Sequence, residues 1–256
     1  MNRRYVVLLA VLLAGVAWAD DGGAVVTNTC LVPCAKLEND SYDWWARHEK
    51  VLKLQKEIDP EIVFVGDSIT HFWAGAESIG ERGPLTRKRW TDRFGKWRTL
   101  NIGYGWDRIQ NVLWRLEHGE MDGLNPRVIV LHIGTNNVGG TPHARANTPE
   151  EIAEGTAEIV RRLEKKAPKA RIVVMAIFPR EEKAGSFWRR VTAKSNAILA
   201  GLVKGDSRVR YLDIGQRFLD GEGNLTREIM ADFVHPTDRG YAIWADAIMP
   251  YLEGEL

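Results

Sequence analysis

The chain has 256 residues but only two cysteines, Cys30 and Cys34, close together near the N-terminus. So few thiols exclude a disulfide framework as the source of stability. A bond between these two would close a small loop and remove little chain entropy, so it is a local staple at best. No Cys, His and carboxylate set is spaced to hold an ion, and neither a metal nor a cofactor is expected. An excess of charge of one sign is also missing, with 35 Lys and Arg against 34 Asp and Glu. No basic stripe is interleaved with aromatics, which argues against a nucleic-acid partner. Internal repeats and Pro/Gly/Ser-rich linkers are lacking, so one large domain is expected.

Long apolar runs are lacking except at the start. There Arg3 and Arg4 precede "YVVLLAVLLAGVA", and Ala17-Trp18-Ala19 follows. The run is short for a membrane span. A charged start, a short apolar stretch and a small-x-small ending read as a secretory signal peptide over residues 1–19. An uncleaved anchor is the weaker reading. Without residues 1–19 the balance is 33 basic to 34 acidic. The expectation is a secreted or periplasmic protein with no stable membrane anchor, an irregular leader over 20–41 and one domain over 42–256.

Within that domain, apolar positions at helical spacing predict a helix from Tyr42 to Ile58, ending before Asp59-Pro60. Five short segments rich in β-branched residues follow: Ile62–Val65, Arg98–Ile102, Val128–Ile133, Arg171–Ile177 and Val209–Ile214. Between and after them lie helical patterns near Leu85–Phe94, Ile109–His118, Pro149–Lys166, Trp188–Val203 and Thr237–Leu252. Strands alternating with helices mean a parallel sheet covered on both faces. Right-handed crossovers bring the C-terminal ends of all strands to one edge, where ligands bind.

Gly-Asp-Ser occurs twice, ending at Ser68 and at Ser207. Ser68 follows a strand and opens a helix, so it falls on the ligand edge, where a helix N-terminus favours developing negative charge. Ser207 follows a helix and precedes a strand, so it falls on the opposite edge in a C-cap and turn. A serine nucleophile needs a base, a group to orient that base, and donors for an oxyanion. His48 and His118 read as surface groups and His132 as a core histidine. His71 lies in the helical turn of Ser68 and lines the site without facing the hydroxyl. His143, in the polar loop after the third strand, stays a candidate. His235 has Asp232 three residues upstream, a spacing that lets the carboxylate hold Nδ1 and leave Nε2 for a hydroxyl. Gly103 and Asn136 lie just past the second and third strands, where an N–H and an amide can face a ligand. Gly103-x-Gly105 is not a dinucleotide fingerprint, because Arg108 stands where a third glycine belongs.

Gly66-Asp67-Ser68, Gly103, Gly134-Thr135-Asn136-Asn137 and Asp232-Phe233-Val234-His235, in this order, resemble the SGNH (GDSL-type) hydrolase superfamily. The stretch "NIGYGWDRIQNVLWRLEHGEMDGLNPRVIVLHIGTNN" is especially similar to the catalytic subunits of intracellular platelet-activating-factor acetylhydrolases. The resemblance runs from about Glu61 to Leu252. It implies a three-layer α/β/α sandwich with a five-stranded parallel sheet of flavodoxin-like type. It implies that Ser68 is the nucleophile, His235 the base and Asp232 its orienting acid. The N–H groups of Ser68 and Gly103 and the Asn136 amide then form the oxyanion hole, and Asp67 has a structural role. It leaves a homodimer open, since the related subunits dimerise. Two departures stand out: Asn137, where the superfamily often has Asp, and a long connection over Trp73–Trp97 beside Ser68.

The expected reaction is hydrolysis of a short acyl ester. Acetyl groups on carbohydrate come first, with a phospholipid or lysophospholipid ester as the alternative. A non-catalytic carbohydrate-binding protein on the same fold is the alternative of another class. Asp67, His71, Trp73, Trp106, Arg108 and Arg180 are the candidate substrate-binding residues.

Overall fold

In β1 (Ile62–Gly66), Ile62 and Phe64 pack into one apolar cluster while Val63 and Val65 pack into another. Successive side chains of a strand point to opposite faces, so this double burial means that the sheet is covered on both sides. The residues of β3 (Val128–His132) and β4 (Arg171–Met175) divide in the same way. With β2 (Thr99–Gly103) and the partly exposed β5 (Val209–Leu212) they form one sheet of order β2-β1-β3-β4-β5, every neighbouring pair parallel. This is the five-stranded α/β/α sandwich that the alternation of segments predicts.

The computed structural model describes residues 27–74 and 90–255. The segment read as a signal peptide lies outside the described residues, as do much of the Trp73–Trp97 connection and most of the helix expected near Leu85–Phe94. One face of the sheet carries α1 (Trp44–Ile58), α3 (Ile109–Glu117), α5 (Pro149–Lys166) and α6 (Phe187–Leu202). The other carries α2 (Ser68–Ala74), the helical residues 90–94 and α7 (Asp238–Glu255). A single turn, α4 (Thr135–Val138), follows β3. Two helix starts are fixed by side chains: Asp43 accepts from the N–H groups of Trp45 and Ala46, and Thr148 forms a capping box with Glu151 ahead of α5.

The chain leaves β1 for β2 on one side and returns to β3 on the other. The connections after β1 and β3 therefore diverge and leave a crevice at the C-terminal edge, as in other sheets of this order. Residues 27–41 run along the α3 and α5 side. Cys30 is fully buried against Gly155, and Asn111 donates to the carbonyls of Cys34 and Ala35. Both thiols are free. Burial pushes Cys30 up to about 12 and Cys34 up to about 11, so both stay protonated.

His132 ends β3 with no exposed surface, packed on Phe178 and Trp244, and its ring nitrogens have no hydrogen-bond partner among the described residues. Burial lowers its pKa from 6.5 to about 3. Between those values the unfolded chain takes up a proton that the folded protein refuses, so stability falls as pH falls. At pH 4.5 the loss relative to pH 7.5 is on the order of 2 kcal/mol from this group. Urea unfolding at the two pH values should show this loss shrinking in His132→Leu. An unchanged pH dependence would remove His132 as its source.

Candidate functional site

Ser68 opens α2 immediately after β1, and the approach of helix to sheet there explains its two glycines. A Cβ on Gly66 would lie 2.3 Å from the His132 carbonyl oxygen, and one on Gly103 would lie 2.4 Å from the His71 nitrogen. Real side chains do not fit such gaps, so both positions need bare backbone for α2 to sit against β1 and β2. Asp67 is fully buried, and its Oδ1 accepts from the Ile69 N–H at 3.0 Å. Burial pushes its carboxyl up to about 7, and Oδ2 has no hydrogen-bond partner among the described residues. Ser207, by contrast, is exposed in the turn before β5, where Arg171 donates to its carbonyl.

His235 reaches Ser68 from the loop ahead of α7. Its Nε2 lies 2.8 Å from Ser68 Oγ, and its Nδ1 lies 2.7 Å from Asp232 Oδ2. The other carboxylate oxygen of Asp232 accepts from the N–H groups of His235 and Val234. Burial alone would raise the Asp232 pKa, but the bonds from His235 and these backbone donors outweigh it and hold the carboxyl well below its usual range. An ionised carboxylate only accepts, so Nδ1 carries the hydrogen and Nε2 is left to accept from the serine hydroxyl. The loop is itself tied down. Met230 and Pro236 form an antiparallel bridge, and the Tyr241 hydroxyl donates to the Ile69 carbonyl of α2 at 2.8 Å. Ser68 is buried, with 7% of its surface exposed.

The turn after β2 differs from expectation. The Gly103 N–H does not face a ligand, because it donates to Asn101 Oδ1 at 2.8 Å. Tyr104 N–H donates to the Gly66 carbonyl, Gly105 N–H to His71 Nδ1 and Asp107 N–H to the Tyr104 carbonyl. Of the five N–H groups from Gly103 to Asp107, only that of Trp106 has no hydrogen-bond partner among the described residues. Trp106 has φ 63°, an uncommon conformation for a bulky residue. Its neighbours hold it there, and the residue is 47% exposed. The Asn136 amide donates one hydrogen to the Asp107 carbonyl at 2.9 Å, which fixes the direction of its second.

Several other candidates have structural posts. Trp73 is buried among Phe64, Trp90, Phe94, Tyr241 and Trp244, so it is a packing anchor and not a substrate contact. Arg108 is buried and donates to the carbonyls of Gly139 and Arg145, which clamps the loop after α4. His71 is fully buried beneath the turn that it holds, and burial keeps it neutral. Arg180 donates to the Thr135 carbonyl and stacks on Trp188 at 4.6 Å. His143 pairs with Glu38 on the surface, and it is His235 that reaches Ser68. His48 corrects the surface reading: it is buried, 2.9 Å from Glu120.

That contact belongs to a charged cluster that pattern reading did not find. Arg115, 1% exposed, points from α3 to the ends of β1 and β2. It donates to Asp107 at 2.8 Å, to Glu120, and to the carbonyls of Ile102 and Gly66. Asp107 also accepts from Trp44 Nε1, and Glu120 from the Tyr104 hydroxyl. Burial pushes Asp107 up to about 6 against the pull of Arg115, while the guanidinium and its companions keep Glu120 below the usual range despite burial. The available signal was a charge at a helical position flanked by Val112, Leu113 and Leu116, where the apolar face leads to the core.

The model of the GDSL-like lipase/acylhydrolase family matches residues 64–243. The alpha2 subunit of platelet-activating factor acetylhydrolase IB from Rattus norvegicus is 33% identical over 217 residues, covering 84% of this chain and 86% of the relative. A solved GDSL-like lipase from Bacteroides thetaiotaomicron shares the fold at TM-score 0.61 and 19% identity, covering 83% of this chain and 100% of that one. A variant of an acetyl-xylooligosaccharide esterase from Geobacillus does so at TM-score 0.58 and 18% identity, covering 75% and 94%. The chain belongs to the GDSL-like lipase/acylhydrolase family of the SGNH hydrolase superfamily and is a carboxylic ester hydrolase. Among the described residues, no helix is long and apolar enough to cross a membrane.

Replacing Arg115 by Met should cost about 3–5 kcal/mol, because Asp107 and Glu120 would be left buried without their countercharge. Urea unfolding at pH 7 checks this. A loss below about 1 kcal/mol would mean that the two acids are sustained by their other donors alone.

Proposed function

We propose that the protein removes short acyl groups, acetyl first, from carbohydrate by a Ser68–His235–Asp232 acyl-enzyme mechanism. The observation that carries this reading is the unbroken chain of bonds from Ser68 Oγ through the imidazole to the Asp232 carboxylate. As Ser68 Oγ attacks the ester carbonyl, His235 Nε2 takes its proton, and Asp232 stabilises the imidazolium that forms. The carbonyl oxygen becomes an oxyanion, held by the Ser68 N–H, the second hydrogen of the Asn136 amide and the Trp106 N–H, which takes the role first assigned to Gly103. Collapse breaks the ester bond, and the imidazolium passes its proton to the leaving alcohol. Water then attacks the acyl-serine, giving its proton to His235, and the acid departs as Ser68 recovers its hydrogen.

The names of an acetylhydrolase relative and of an acetyl-xylooligosaccharide esterase of the same fold support a small acyl group. On the alcohol side, the exposed Trp106 offers the kind of flat face on which a sugar ring stacks. An esterase of acetylated xylo-oligosaccharides is among the proteins of the same fold, which supports the same substrate. The similarity to a platelet-activating-factor acetylhydrolase subunit supports the second reading, an acyl ester on a phospholipid. Export directed by residues 1–19 fits a polymer substrate outside the cell and favours the first.

The test is acetate release from acetylated xylan, and from a phospholipid with a short acyl chain, by residues 20–256. Release from xylan should vanish in Ser68→Ala and His235→Ala. Asn136→Ala should lower kcat by about a hundredfold with little change in KM, since its amide acts on the oxyanion. Activity above a few per cent in Ser68→Ala would remove the mechanism, and release from the phospholipid alone would put the second reading first.

A further inference from the structure

We infer that the start of α1 carries a second sugar-binding position, centred on Trp45, that holds the glycan chain beyond the ring bearing the ester. This inference rests on the carbohydrate reading of the site, and it starts from an indole as open to water as that of Trp106. Trp45 is 48% exposed. Two neighbours fix it: Trp44 lies at 5.1 Å and 78°, and Trp114 at 5.5 Å and 88°. Perpendicular packing against two rings immobilises the side chain in advance, so a ligand that stacks on it meets little further ordering cost.

The size of the patch selects the occupant. On α1, Trp45 is flanked by exposed Ala46 and Glu49, and on its other side it meets the partly exposed Trp114, on which exposed His118 stacks. A stable protein interface needs hundreds of square ångströms of contiguous surface, and one half-exposed indole beside a second, partly covered ring does not supply it. A pyranose ring, apolar on its faces and hydroxylated at its rim, matches both the indole and its polar surround.

Position supplies the second argument. Trp44, in contact with Trp45, donates from Nε1 to Asp107 Oδ1 at 2.7 Å, and Asp107 directly follows Trp106 in the turn beside Ser68. The two half-exposed indoles are thus joined by one buried ring and one carboxylate, on the same edge of the sheet. In this mode of binding, an oligosaccharide that stacks one sugar on Trp106 would place a further sugar at the start of α1. The geometry makes a chain of linked sugars a better ligand than the single ring.

The experiment uses unacetylated xylohexaose as the probe and calorimetric titration as the readout, in a Ser68→Ala background so that nothing turns over. Trp45→Ala in that background should weaken binding by about fivefold or more. Trp45→Phe, which keeps a smaller ring, should recover part of the affinity. With Ser68 intact, Trp45→Ala should hydrolyse p-nitrophenyl acetate at the parent rate but show a raised KM on acetylated xylan. Equal xylohexaose affinity with and without Trp45 would overturn the inference, as would binding to phosphatidylcholine vesicles in place of the oligosaccharide. Trp45-dependent binding without acetate release would keep this site and sink the proposed reaction. Ser68-dependent release with a KM indifferent to Trp45 would do the reverse.

Discussion

A guanidinium sealed from water must have its hydrogens answered by protein, and the way Arg115 meets that condition organises the whole C-terminal edge. Its partners come from four places: the end of β1 at Gly66, β2 at Ile102, the following turn at Asp107, and Glu120 after α3. The cation cannot shed its charge by titration, as a lysine in that place could. The acids must therefore stay close and ionised, and the backbone carbonyls that complete the set must hold still. A buried ion pair of this kind contributes less to net stability than well-packed hydrocarbon would. What it imposes here is geometry, because few arrangements of these four segments satisfy every donor.

The consequence reaches the proposed oxyanion pocket through the backbone. Asp107 is held at its carboxylate by Arg115 and Trp44, and its carbonyl in turn receives the Asn136 amide. Two residues earlier, Gly105 is held by His71. Trp106 lies between these fixed points, which is how a bulky residue comes to have a positive φ: the strain is local, and the restraint on both sides exceeds it. On the other side of Ser68, Tyr241 ties α7 to α2, so the loop that delivers His235 is registered against the helix that delivers the serine. Ser68, His235, Trp106 and Asn136 thus come from four separate connections, yet hydrogen bonds tie them to one another across the same edge of the sheet.

How much of this was legible follows from the range of the forces involved. The strands and the α/β/α layering could be read because apolar periodicity is local and both faces of the sheet are buried. That Ser68 and not Ser207 lies at the C-terminal edge of the sheet needed only the order of strand and helix, since chain direction decides the edge on which a turn falls. Asp232 and His235 are close in sequence, so their pairing was readable as well. The role of Gly103 was not, because an N–H engaged by a side chain two residues earlier looks the same in sequence as a free one. Trp73 and Arg108 were misjudged for a related reason: position in a connection near the site does not say whether a side chain turns outward or into the core. His48 appeared to sit on a surface helix, and only the long-range partner Glu120 reveals that the helix turns that side inward.

The same distinction bears on how specificity is divided within the site. The serine and its proposed donors lie at strand ends fixed by buried charge and close helix packing, so they have little freedom to adapt to a different acyl group. The aromatic groups proposed to meet the alcohol side of the substrate are anchored differently. Trp106 and Trp45 each have a held backbone or neighbouring ring but leave about half of the indole in water. Substituting those exposed faces disturbs no buried partner of the Arg115 cluster. Recognition of what carries the ester can therefore change by surface substitution while the chemistry stays where the buried charges hold it. Under the proposed reaction, a site built in this way keeps its acyl side rigid and leaves the side facing the alcohol free to vary, which is what separate demands for transition-state precision and substrate reach require.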